Sequence, residues 1–488
     1  MNPFFDLSMA FATITIVTGR YSFLSKGRLL MTYLISLSLI KIKMPINSNA
    51  DYKVIQILIV FCFTFFSLQT NAQDSEAKSI NEKLEVIRNY PFDMPFERSD
   101  INLLNWQYWP YSRYASHHPR EFIPMATIHA DPEAVALEEI KNDPFNLMEL
   151  KVSVDTEKDV LLPDLLKSIQ MKGFAVMHEG KLVFETYDQG MQKHDIQILQ
   201  STSKTFTGML IHKLASEGLL DLGANVDEYL SDLNADVFKG STLQNMLDME
   251  VGFPDFGSYY KTEDFGFMSE VHMGLKPKVL GVEHRSTLLF IQQFQKQSFP
   301  AGSKFSYNDM NTQVLAMIAE QVTGKPYAQL IEENFWRPLQ ARYDAAISVD
   351  EDGSAGASWG MAITLRDAAR FGQMMLNRGS FKGKRVIPES YFEATFDQPP
   401  TEPLSPYFVL GQQEDYRNQV WMLRDDGLMH TIGSFGQFIF ADYKNEIAIV
   451  FMANWKHTSH LESKEHLIRI VRAVGEQINW TCNKKVDI

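Results

Sequence analysis

Cysteine is almost missing from this chain, with two in 488 residues. That excludes a disulfide-stapled scaffold and leaves stability to a hydrophobic core. Concentrated positive charge is missing as well: 46 Lys and Arg stand against 60 Asp and Glu, a formal charge of −14. No basic stripe interrupts that surplus, and a nucleic-acid grip needs one to neutralise phosphates, so nucleic acid does not read as a partner. Internal repeats and low-complexity linkers are lacking too, and the composition is not that of a polytopic membrane protein. What is present is globular material, 45% apolar, 22% charged and 12% aromatic. A chain of this size can bury roughly three quarters of the surface its unfolded form exposes. Length alone allows about two to three domains, or one large enzyme fold with an extension.

The first 72 residues differ from the rest. They hold Arg20, Lys26, Arg28, Lys41, Lys43 and Lys53 against Asp6 and Asp51, so residues 73–488 carry −18. Lys53 opens an apolar run from Val54 to Leu68, which Gln69 to Ala72 close before acidic sequence begins. A basic start, a short apolar stretch and a small exit residue describe a secretory signal peptide. It is expected over residues 44–72, with Met44 as the true start and 1–43 as an upstream artefact. The run falls short of the roughly 20 residues of a spanning helix; an uncleaved membrane anchor is the alternative. The expectation is an exported protein, periplasmic or secreted, that meets a membrane only through this leader. Cys62 would leave with it and Cys482 would remain alone, and neither reads as a nucleophile.

Residues 73–165 read as an N-terminal extension that packs on a catalytic domain spanning 166–482. Its aromatic run from Trp106 to Tyr114 suits such packing. His117 and His118 have no metal-type spacing and read as surface or capping residues. Phe174 to Phe184 form two apolar runs around Glu179 and Gly180, a hairpin signal. After Ser201 the period becomes helical, with Phe206, Met209, Leu210 and Leu214 on one face of an amphipathic helix. Further helices are expected after Asn311, stopping at Gly324, and from Thr364 to Asn377. Strands return at Gly436 to Ala441 and Glu446 to Met452, and a helix from Leu461 to Ile478 closes the chain. Strands at both ends with helices between predict an α/β (α+β) fold, an antiparallel sheet flanked by helices.

Two serine patterns compete for the chemistry. Ser-x-x-Lys occurs four times, at Ser38, Ser75, Ser201 and Ser258, but only Ser201 stands at the head of a helix. There Lys204, at i+3, shares its face, and the helix N-terminus favours a developing anion. A hydroxyl becomes a nucleophile when a base takes its proton, and a lysine of lowered pKa can do so. The second pattern is Gly356, Ser358 and Gly360, with Asp415, Asp425 or Asp426 ahead of His430 as triad partners. A nucleophile elbow needs a strand running directly into the serine and a helix directly after it. Asp350 to Gly353 intervene here, so a flexible glycine loop is the expectation.

Ser201 to Gly208 resemble the first motif of the serine β-lactamase and penicillin-binding-protein superfamily. Phe299 to Asp309, with Pro300 and Gly302 ahead of Tyr307 and Asn308, resemble its second, Tyr-x-Asn. His430, Thr431 and Gly433 fall where the third, Lys/His-Thr-Gly, belongs. Order and spacing are similar to the class C-like branch. Within it, Gly433 to Gln437, Asp367 to Gly372 and the lead-in of 106–124 resemble the 6-aminohexanoate-dimer hydrolase and related esterase group.

The resemblance implies a β-lactamase/transpeptidase-like fold with a helical subdomain, and acyl transfer without metal or organic cofactor. Ser201 would attack a carbonyl, with Lys204 and Tyr307 sharing acid and base work. A tyrosine suits that role where a lysine's charge lowers its pKa. The amides of Ser201 and Ser434 would form the oxyanion hole. Asp309, Tyr260, His430 and Gly433 would contact a small amide, ester or peptide substrate. Asp309 stands where the motif has asparagine, and His430 sits one place early, so β-lactam turnover is not expected. D-Ala carboxypeptidase, β-lactamase and a catalytically silent penicillin-recognising protein are the alternatives. Oligomeric state has no signature in the sequence.

Overall fold

Alternation along the strands decides where the layers lie. A computed structural model describes residues 75–486 apart from 92–93, 156–157 and 401; the expected leader, its start at Met44 and Cys62 lie outside the described residues. In chain order the principal strands are β1 (Met125–Ile128), β2 (Met171–His178), β3 (Lys181–Tyr187), β4 (Ile196–Ile198), β5 (Ala345–Ser348) and β6 (Met361–Thr364). They continue with β7 (Asp415–Arg417), β8 (Val420–Leu423), β9 (Leu428–His430), β10 (Gln437–Asp442) and β11 (Ile447–Ala453). The principal helices are α1 (75–88), α2 (Ser203–Ser216), α3 (Phe265–His272), α4 (Asp309–Thr323), α5 (Leu365–Leu376) and α6 (Leu461–Val486).

A seven-stranded antiparallel sheet runs in the order β7-β8-β9-β10-β11-β2-β3. The early hairpin β2–β3 joins the late hairpin β10–β11 through the β11–β2 pairing, which sets Ile447 opposite His178 and Val450 opposite Ala175. Successive side chains leave a strand on opposite faces. Ile439, Ala441, Ala448 and Val450 therefore point to one core, shared with Ala368, Phe371 and Met375 of α5. Phe438, Phe440, Ile449 and Phe451 point to another, shared with Leu467, Val471 and Val474 of α6. Gly372 lets α5 lie close to the sheet, since a Cβ there would stand 3.0 Å from Ile439. The closing helix is longer than its apolar period suggested, continuing to Val486.

A smaller antiparallel sheet, β1-β5-β6-β4, ends in the strand that runs into the Ser201 segment. Its edge strand β1 comes from the expected N-terminal extension and pairs with β5 from Met125 opposite Ser348 to Ile128 opposite Ala345. The aromatic run packs inward as expected: Trp106, Tyr108, Trp109 and Tyr111 are buried, and the Trp106 indole donates to the Leu275 carbonyl at 2.9 Å. Helix α1 presents Ile80, Leu84 and Ile87 to Phe267 and Val271 of α3 and to Phe435.

His117 departs from expectation. It is buried and bonded to the ammonium of Lys172, which also donates to Ser116 Oγ at 2.9 Å and Gln197 Oε1 at 3.2 Å. Burial lowers His117 to about 2 and Lys172 to about 7. A lysine inside strand β2 needs acceptors when desolvated, and the extension supplies all but Gln197 of β4. Among the described residues, no helix is long and apolar enough to cross a membrane.

Candidate active site

Strand β4 ends at Ile198, and the chain turns sharply before α2. Gln200 adopts φ of +52°, an unfavourable conformation for a non-glycine residue that the surrounding packing must hold. Ser201 lies in a short 3-10 turn, Gln200–Thr202, ahead of the helix proper. In that tighter winding, residues three apart eclipse each other. Lys204 Nζ thus reaches Ser201 Oγ at 3.0 Å. Helix α2 is not amphipathic as expected: every residue from Ser203 to His212 is buried, so it is a central helix.

Lys204 is held from three sides. Its Nζ donates to the Ser358 carbonyl at 2.8 Å and lies 2.5 Å from Asp309 Oδ1, while the side chain is 1% exposed. It also sits 4.9 Å from the ring centre of Tyr307, whose hydroxyl is within hydrogen-bonding reach of both Ser201 and Lys204. Tyr307 packs against Trp421 and Tyr416, with ring centres 5.8 Å away in each case. Asn308 caps α4 by accepting from the Met310 amide, which places Asp309 in the first turn, where a carboxylate is favourable. Ser201, Lys204, Tyr307 and Asp309 therefore converge.

The electrostatics differ from the expectation. Burial works against the charge of Lys204, but Asp309 and Tyr307 outweigh it, and the amine is raised above its ordinary value. Tyr307 is raised too: burial leads, and the lowering pull of Lys204 is opposed by Asp309. Neither shift runs in the lowered direction foreseen for an activated base.

The third motif meets this cluster through Thr431. Strand alternation turns His430 to the α6 face, where it is fully buried, stacks on Phe440 at 5.0 Å and bonds to Glu414 at 3.3 Å. His430 therefore does not face the Ser201 segment. Thr431 does: its Oγ1 lies 3.0 Å from Thr202 Oγ1 and accepts the Ile439 amide at 3.0 Å. Gly433 backs onto the same segment, where a Cβ would collide with the Leu199 carbonyl. In the turn after it, the amides of Gly433, Phe435 and Gly436 have backbone acceptors, and that of Ser434 has none among the described residues. The bonds of the 199–203 turn likewise skip the Ser201 amide. Two amides without a backbone acceptor among the described residues are thus carried by segments stitched together through Thr202.

Tyr260 is also reassigned. Its ring lies 5.1 Å from Tyr108 and beneath Arg88, in the packing between α1 and α3. Its neighbour Tyr259 is the one in electrostatic range of Asp309 and Tyr307. The Ser358 triad has no geometry behind it. Ser358 is buried, His430 pairs with Glu414, Asp415 binds Arg424 and Asp426 binds Arg472. Nor is the 356–360 stretch a flexible loop, since all five residues are buried and the Ser358 amide is fixed by Gln313 at 2.9 Å. Its contribution is the carbonyl that braces Lys204, for which side-chain identity gives no signal.

The chain matches known proteins in keeping with this geometry. The Beta-lactamase family model matches residues 164–473, well over half of the chain. The 6-aminohexanoate-dimer hydrolase of Paenarthrobacter ureafaciens is 27% identical over 357 residues, covering 72% of this chain and 87% of that protein. The N-acetylmuramyl-L-alanine amidase of Bacillus subtilis is 21% identical over 349 residues, covering 60% and 75%. A solved Bacillus anthracis structure assigned as a 6-aminohexanoate-dimer hydrolase superposes with a TM-score of 0.72 at 27% identity, covering 79% of this chain and 99% of that one.

Proposed function

The chain belongs to the Beta-lactamase family and is a serine hydrolase of that type; from this premise we propose that it is exported and cleaves a small linear amide or ester through an acyl-enzyme on Ser201. The observation that carries the reading is the contact of Ser201 Oγ with Lys204 Nζ at 3.0 Å, beside Tyr307. Ser201 Oγ attacks the carbonyl carbon, and its proton passes to the Tyr307–Lys204 pair. The oxyanion is met by the amides of Ser201 and Ser434. As the carbon–nitrogen or carbon–oxygen bond breaks, the pair returns the proton to the leaving group, and water then releases the acyl group by the reverse path. Proton transfer of this kind contributes about 10²–10⁴-fold, and an oxyanion donor about 10²–10³-fold.

The arrangement disfavours β-lactams. Their carboxylate benefits from a cation at the third motif, and here a threonine faces the nucleophile segment with Asp309 nearby. The test is covalent labelling by a fluorophosphonate beside a hydrolysis panel of p-nitrophenyl esters, short linear amides, D-Ala-D-Ala peptides and nitrocefin. Labelling lost in Ser201→Ala, with ester or amide turnover, supports the reading. Persistent labelling of that variant refutes it, and rapid nitrocefin hydrolysis would replace the substrate class.

A further inference from the structure

Asp309 stands where the motif it resembles has a neutral asparagine, and its oxygen lies 2.5 Å from Lys204 Nζ. Around that amine, the Ser358 carbonyl and the Asp309 carboxylate can only accept. They take two of the N–H bonds and leave one direction, toward Ser201 and Tyr307. That remaining direction carries either a proton or a lone pair, and a full negative charge in contact favours the proton. The Lys204 side chain is 1% exposed, so little solvent screens the choice.

We propose that Asp309 is a positioning residue that holds Lys204 as an ammonium and so leaves Tyr307 as the group that takes and returns the Ser201 proton. The inference rests on the acyl-enzyme reading above and adds a division of labour within it. The reactive state is a Tyr307 phenolate beside the Lys204 ammonium. Ser201 O–H gives its proton to the phenolate oxygen as the Oγ–carbon bond forms and the carbonyl electron pair moves to oxygen. Collapse expels the amine or alkoxide, which takes the proton back from Tyr307. Lys204 keeps its three protons throughout and stabilises the phenolate by charge. Asp309 sets the pH at which this state forms, since its negative charge makes the last proton on the Tyr307–Lys204 pair harder to remove. The other groups facing the pair are Tyr259 and Tyr416; Glu270, balanced by Lys276 at 2.9 Å, faces Asp309 instead. Among these, Asp309 alone touches the amine.

The test is the pH dependence of fluorophosphonate labelling and of ester kcat/KM in the full chain and in Asp309→Asn, which keeps a hydrogen bond to Lys204 but loses the charge. The rate should rise with pH, and in Asp309→Asn the rising limb should move to lower pH by about one unit or more. Asp309→Ser, also uncharged and smaller, should move the same way and serves if the asparagine variant does not fold. Coincident limbs with only KM altered would make Asp309 a substrate contact and overturn the proposal. Unchanged labelling of Ser201→Ala is a separate result, and it would sink the acyl-enzyme reading instead.

Discussion

Replacing Thr431 by valine preserves volume and shape but removes one hydroxyl, and that hydroxyl joins two halves of the site. It accepts the Ile439 amide at 3.0 Å, in place of the main-chain acceptor a regular ladder would provide, and it meets Thr202 Oγ1 at 3.0 Å. Thr202 keeps its second partner, the Gln437 carbonyl at 3.1 Å. The buried Ile439 amide loses the acceptor it has, and an unsatisfied buried donor costs about 1–3 kcal/mol. With unfolding entropy of about 2.1 cal/mol/K per residue over roughly 410 ordered residues, 2 kcal/mol corresponds to a drop in Tm of about 2 °C. The catalytic effect should be larger in proportion. Thr202 follows Ser201, the proposed nucleophile, and Thr431 precedes the Ser434 turn, so losing the stitch loosens the spacing of the two proposed oxyanion amides. A full donor is worth about 10²–10³-fold, and a partial loss near 10-fold in kcat with little change in KM is expected. Differential scanning fluorimetry and steady-state ester hydrolysis measure both, with Thr431→Ser as the control that restores the hydroxyl. A Thr431→Val protein matching the parent in Tm and kcat would refute the coupling.

Other substitutions separate roles by location. Tyr307→Phe should lower the acylation rate by about 10²–10⁴-fold while leaving far-ultraviolet circular dichroism unchanged, measured by stopped-flow ester hydrolysis. His430→Phe should leave ester kcat/KM within a few fold, because His430 faces α6; a loss near that of Tyr307→Phe would return it to the site. Burial holds His430 below its ordinary value despite Glu414. Its share of stability is therefore constant above about pH 6.5 and falls as the pH drops below that toward the depressed folded value; His430→Phe should flatten this slope in urea titrations. Lys172 is lowered from 10.5 to about 7, so the unfolded chain holds a proton that the fold does not between those values. Stability should rise with pH across that window through this group, and Lys172→Met should remove that rise.

The parts of the fold legible in the sequence were those with a period. The hairpins at 174–184 and 437–453 and the helix at 309–323 announce themselves by alternation or by caps, and the Ser201–Lys204 pair by an i,i+3 spacing on a helical turn. Three features escaped for stated reasons. His430 and Thr431 differ by one place, and in a strand one place reverses the face; the motif letter was basic where the geometry required a hydroxyl. Tyr259 and Tyr260 are equivalent on paper, and only the fold of the 256–282 stretch around α3 decides which comes within electrostatic range of Asp309. The Ser358 carbonyl could not be read at all, because every residue has one.

Helix α1 carries a consequence for how such a protein can be rearranged. Its apolar face rests on Phe435, the residue after Ser434, while β1 completes the sheet from which the Ser201 turn departs. The stretch 164–473 that matches the family is therefore not a cassette. Excised or transplanted onto another carrier, it would leave behind the edge strand, most of the partners of Lys172 and the brace beneath the Ser434 turn. Fusion partners belong upstream of residue 75, and recombination between relatives should exchange the lead-in together with the catalytic body.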